Sequence, residues 1–73
     1  MTWEGTYKVT LTSPAGFTTH FIVRDGLMQW LPTMAVEDWI ATVRRMLFLL
    51  NKAPQSDRGE VGEWTWVRQV KAA

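Results

Sequence analysis

The sequence contains no cysteine, which excludes disulfides, thiolate metal sites and thiol nucleophiles. With a single histidine, His20, it also lacks the ligands of most zinc sites. Gly59 and Gly62 form no phosphate-binding loop, because no G-x-x-x-x-G-K-[ST] pattern is present. A large charge excess is missing too. Eight Lys and Arg against seven Asp and Glu leave a net charge of +1, without the strong positive balance of an electrostatic nucleic-acid binder. The longest wholly apolar run, Met46 to Leu50, falls far short of the roughly 20 residues that span a bilayer. The first residues, MTWEGTYKV, carry no basic segment followed by an apolar stretch, so no signal peptide is expected. A soluble protein of the reducing cytoplasm, with no membrane partner, fits these absences.

Catalysis has little to stand on. His20 lies among threonines with no serine or carboxylate near it in sequence, and reads as a solvent-exposed side chain. Glu37-Asp38 is explained as charge at the start of a helix. No enzyme, cofactor or metal is expected.

What the chain has is aromatic surface: five Trp, three Phe and one Tyr in 73 residues. A single domain this short buries only about 60% of its unfolded surface. Large aromatics, at roughly 150–250 Å² each, are the expected source of its stability.

The stretch Thr33 to Asn51 predicts a helix. Val36, Trp39, Ile40, Val43, Met46, Leu47 and Leu50 follow the i, i+3, i+4, i+7 spacing and share one face. Pro32-Thr33 marks the start, with Thr33 as cap and Glu37 and Asp38 near the positive dipole end. Asn51 to Pro54 marks the stop. Phe48 and Leu49 fall off this stripe, beside Arg44 and Arg45. They are covered by a loop, or they form a partner-binding surface. Arg44 and Arg45 are solvated arginines paired with Glu37 or Asp38, or part of that surface.

Residues 3–12 alternate, with Trp3, Tyr7, Val9 and Leu11 on one side, and predict a strand. Ser13 to Gly16 is a turn, and residues 17–24 a second strand with Phe17, Phe21 and Val23 on one face. Together they predict an antiparallel hairpin. Asp25-Gly26 is a two-residue turn signal. Residues 27–31 are then a short third strand or an irregular lead into the helix. Residues 51–62 are polar and read as an exposed loop. Residues 63–71 alternate again, with Trp64, Trp66 and Val70 opposite Thr65, Val67 and Gln69, and predict the last strand. Lys71 to Ala73 form a tail. There is no internal repeat.

A sheet with one apolar face and a helix with one apolar stripe cover each other. The predicted fold is α+β: a small antiparallel sheet of three or four strands packed on one helix, in the order ββ(β)αβ. The last strand returns beside the first or lies parallel to it. Tyr7, Val9, Leu11, Phe17, Phe21, Val23, Val36, Ile40, Val43, Leu47 and Leu50 are the expected core. Adding Trp3, Trp30, Trp39, Trp64 and Trp66 asks one short helix to cover too much. Either some tryptophans stay partly exposed, with Trp64, Trp66 and Trp3 leading, or all pack at the core's edges.

Exposed tryptophan and off-stripe apolar residues point to protein binding. The expected partner-binding residues are Trp64, Trp66, Trp3, Phe48, Leu49, Arg44 and Arg45, and the partner is another protein or a second copy. The alternative is a small nucleic-acid-binding or regulatory domain using Arg44, Arg45, Lys8 and Arg24. Against it, the strand aromatics alternate onto the core side, away from the open face where bases would stack.

The run VTLTSPAGFTTHFIVRDG followed by LPTMAVEDWIATVRRML resembles short, mostly uncharacterised accessory proteins of phages and mobile elements. In these a Ser-Pro-x-Gly hairpin leads into one amphipathic helix. The resemblance covers residues 7–50 and brings no functional residues with it. It implies a phage accessory protein, such as an inhibitor that docks on a host defence protein.

Overall fold

Strands flank one helix on both sides in the computed structural model, which describes residues 3–30 and 36–71, without the side chains of Trp30 and Val36. The order is β1 (Thr6–Thr12), β2 (Thr18–Arg24), β3 (Leu27–Trp30), α1 (Val36–Lys52), β4 (Arg58–Val61) and β5 (Trp64–Val70). The expected helix start at Pro32-Thr33, the strand residue Leu31 and the tail residues Ala72 and Ala73 lie outside the described residues, as do the side-chain positions expected for Trp30 and Val36. Glu37 and Asp38 sit in the first turn of α1 and Lys52 in its last, each complementing the helix dipole. The helix runs out at Ala53. That residue turns left-handed (φ 41°) while its N–H still donates to Leu49 O, and Pro54 prevents continuation.

The sheet order is β3-β2-β1-β5-β4, and every neighbouring pair is antiparallel. The last strand therefore returns beside the first and runs antiparallel to it, with Leu11 opposite Trp66. Residues 27–30 do form a strand. Asp25 (φ 51°) and Gly26 (φ 82°) both take the left-handed conformation that a two-residue hairpin with matched twist requires.

The fifth strand corrects the expected count of three or four. Arg58 to Val61 falls inside the stretch read as a loop, yet it pairs with β5 from Arg58↔Val67 to Val61↔Trp64. Its sequence, Arg-Gly-Glu, has no apolar alternation. The pairing is imposed by the Gly62-Glu63 turn and by the partner strand. Gly59 lets β4 lie close: a Cβ there would meet the Trp66 ring at 3.1–3.2 Å and push the indole back from this backbone.

Strand β1 starts at Thr6, not at Trp3. Gly5, at φ 88°, breaks the extended run and locks against the turn: its N–H donates to Asp25 Oδ1 (2.8 Å), and Asp25 N–H donates to Gly5 O (2.9 Å). The kink frees Trp3 to fold over the sheet, where its Nε1 donates to Pro54 O at 2.8 Å.

One buried cluster joins the layers: Val9, Leu11, Phe21, Val23, Val61 and Trp66 from the sheet, Met46, Leu49 and Ala53 from the helix region, and Trp3. Three expected core residues are corrected. Phe17 lies largely exposed at the first hairpin, and Ile40 and Leu47 are exposed on α1. Thr42, Met46, Leu49 and Ala53 take their place on the buried side. At 100° per residue this face lies roughly 100° around the axis from the stripe read in the sequence. The physical reason is room. Trp66, Trp3 and Phe21 already fill the sheet face, and the small Thr42 and Ala53 let the helix settle on them.

Candidate functional site

The seven sequence-predicted residues do not form one exposed surface: Trp3, Trp66 and Leu49 meet inside the core, and Phe48, Arg44 and Arg45 stay outside it. Trp3 and Trp66 are core residues, which corrects their expected exposure; Trp64 is half-buried against the same cluster. Leu49 is 2% exposed, although the sequence stripe put it outside the core. None of Trp3, Trp66 and Leu49 offers a free surface. Phe48 remains 49% exposed, with Lys52 Nζ 5.0 Å from its ring centroid. It lines a shallow groove of about 270 Å³ between α1 and β4, with Leu49, Gly59 and Trp66 also in its walls. Arg44 and Arg45 are exposed. Among the described residues the ion pair is Arg68–Asp57, so the expected pairing of Arg44 or Arg45 with Glu37 or Asp38 is not formed. Arg45 instead lays its guanidinium along Gly62 in the β4–β5 turn, where a Cβ would sit 3.0 Å from Nη1.

Arg68 carries a role that charge alone conceals. Strand alternation puts it on the helix side of β5, with Trp66. Its side chain is 10% exposed. The guanidinium lies 4.7 Å from the Trp3 ring centroid and 4.8 Å from that of Tyr7. It donates from Nε to Asp57 Oδ1 (3.3 Å) and from Nη2 to Gln55 O (3.2 Å). Trp3 in turn meets Tyr7 edge-on and Trp66 at a tilt, each with centroids 5.8 Å apart. This cation–aromatic stack ties the N-terminal segment, the segment after α1 and β5 into one corner of the core. The signal for it was the period-two position of residue 68.

Two surfaces remain for binding. The first is the stripe the sequence assigned to the core. On α1, Trp39 (37%), Ile40 (43%) and Leu47 (52%) stay exposed along one flank, with Val43 half-buried between them. Buried and exposed stripes together make half the circumference of this helix apolar, and the sheet covers only half of that arc. Phe48 stands on the opposite flank.

The second is the open face of the sheet. Lys8, Thr10, His20, Arg24, Arg58 and Gln69 are all exposed or half-exposed there. His20 Nδ1 and Thr10 Oγ1 share a hydrogen bond of 2.9 Å. The basic set Arg44, Arg45, Lys8 and Arg24 is not one patch, because Lys8 and Arg24 are on this face and the other two lie across the molecule on α1. Among the described residues no three His, Asp or Glu side chains gather as metal ligands, and no helix is long and apolar enough to cross a membrane. No family model, curated protein or solved structure matches the chain.

Proposed function

We propose that this chain is a small protein-binding module, which docks its partner through the exposed apolar flank of α1. The observation that supports this reading is the helix's second stripe: Trp39, Ile40 and Leu47 each keep more than a third of their surface in water, with Val43 between them. Adjacent large apolar side chains on a rigid helix are the usual address of a partner, and tryptophan is the residue most enriched at binding hot spots. Arg44 and Glu37 border the stripe on its outer side and supply a polar rim. Phe48, across the helix, adds a separate apolar contact above the groove to β4.

In this reading the protein acts by occupying a surface, without a catalytic group. A phage-encoded inhibitor that docks on a host defence protein is the specific form that the hairpin-and-helix resemblance suggests. The test is affinity capture from a bacterial lysate, with and without nuclease, at about 0.5 M salt, where exposed charge contacts are screened and apolar ones persist. One protein retained by the wild type, lost with Ile40→Asp and Leu47→Asp, and kept with Arg44→Gln, is the expected result. Retention only of nuclease-sensitive material, or equal capture by the Asp variants, overturns it. Sedimentation of the purified protein separates a second copy from a different partner. A dimer that dissociates with Leu47→Asp would assign the flank to self-association.

A further inference from the structure

Strand register gathers charge that the whole-chain balance hides. Lys8 stands opposite Ile22 on one side and Gln69 on the other. Two residues back along β1, Thr6 lies opposite Arg24, and the Lys71 N–H donates to Thr6 O on its other side (2.9 Å). Arg24 and Lys71 therefore flank Thr6 at two strand spacings, about 10 Å apart at the backbone, with Lys8 one pleat along between them. All three side chains are exposed. Lys8 and Lys71 line a shallow concavity of about 500 Å³ together with Ile22, Gln69 and Val70, and Arg24 lies outside it on the far side of Thr6. Arg58 extends the positive charge along the face, opposite Val67 in the row that runs through Thr10 to His20. Among the described residues of these strands the one carboxylate on the face is Glu60, opposite Thr65 at the far end. Asp25, next to Arg24 in the turn, accepts the Gly5 N–H.

The geometry points to a binding site for the phosphodiester backbone of nucleic acid, held by Lys8, Arg24 and Lys71 on the open sheet face. The occupant follows from charge complementarity and shape. Three long cationic side chains on one open face suit successive phosphates, with Arg24 able to present its planar fork and the lysines acting as point charges. The hydroxyls of Thr6 and Thr10 and the amide of Gln69 add neutral hydrogen bonds. Contacts of this kind go to the phosphate backbone, which positions the strand without reading its bases. The site lies across the sheet from the helix flank and functions independently of it.

The test is fluorescence anisotropy of the full chain with a labelled single-stranded oligonucleotide of mixed sequence, titrated between about 20 and 200 mM salt. Three phosphate contacts predict a log–log salt slope of about −2 for single strands. Lys8→Gln with Lys71→Gln should flatten the slope to about −0.7 and weaken low-salt binding roughly tenfold. Arg44→Gln with Arg45→Gln should leave both unchanged. Absence of binding at low salt, a flat salt dependence, or equal loss from the helix variants overturns the site. Preference for vesicles containing phosphatidylserine over the oligonucleotide, or for a polyglutamate peptide, overturns it as well. The wild-type slope needs no variant, so a folding defect cannot rescue the proposal.

Discussion

Replacing Leu49 and Leu47 by alanine, one at a time, separates the two faces of α1. The residues are two positions apart, chemically identical, and both change to the best helix former, so intrinsic propensity cancels. Leu49 is 2% exposed within the buried cluster, whereas Leu47 is 52% exposed. Removing a buried leucine side chain costs its transfer free energy plus a cavity term, about 3 kcal/mol for a site this enclosed. Leu47→Ala forfeits only the covered half of a side chain, less than about 1 kcal/mol. A chain of this length has a total stability of about 4–11 kcal/mol, so Leu49→Ala removes a large share of it. At 4–8 °C per kcal/mol, the expected fall in Tm is at least about 12 °C, against a few degrees for Leu47→Ala. Urea unfolding followed by tryptophan fluorescence measures both, because the buried Trp3 and Trp66 become hydrated on unfolding. Running it at two protein concentrations keeps self-association out of the comparison. If Leu47→Ala costs more than Leu49→Ala, α1 is turned as its hydrophobic periodicity suggests; equal costs would already mean that Leu47 is buried and the exposed flank does not exist.

Two further substitutions probe the corner and the close approach. Arg68→Ala removes the cation between Trp3 and Tyr7 together with its bonds to Asp57 and Gln55, and should cost about 2–3 kcal/mol. Asp57→Asn should cost less than about 1 kcal/mol, since Asp57 is 83% exposed and its pairing is screened by water. Equal losses in urea unfolding would assign the stability to the ion pair and not to the stack. Gly59→Ala drives a methyl group to 3.1 Å from Trp66 Nε1 and should destabilise by about 1–2 kcal/mol, while Glu60→Ala stays within about 0.5 kcal/mol. A neutral Gly59→Ala in thermal melts would refute the close packing of β4 on the indole.

The parts of the fold legible in the sequence are those where local chemistry and global packing agree. Val9 and Leu11 alternate with threonines, Asp25-Gly26 demands a tight turn, and the hairpins follow. Strand β4 could not be read that way, because Gly59 is there for the Trp66 ring and Glu60 faces out; its reason for existing lies on another strand. The rotation of α1 was illegible for a similar reason. Periodicity ranks stripes by hydrophobicity, but the sheet selected by shape, accepting Thr42 and Ala53 and leaving Ile40 and Leu47 about half in water.

Charge shows the same limit of one-dimensional reading, with a functional consequence. A net charge of +1 argues against nucleic acid only if the charges are mixed. Here Arg68 is spent inside the core, and Lys52 lies over Phe48. Lys8, Arg24, Arg58 and Lys71, half of the basic residues, meet Glu60 alone among the carboxylates on the strands of their face. Their sequence separations run to tens of residues, so no window along the chain contains the patch. Only the antiparallel return of β5 beside β1 brings Lys71 across from Arg24. The same return sends Trp66 and Arg68 to the opposite side of β5. One pairing therefore builds the core corner and the cationic face together, and breaking it would abolish both.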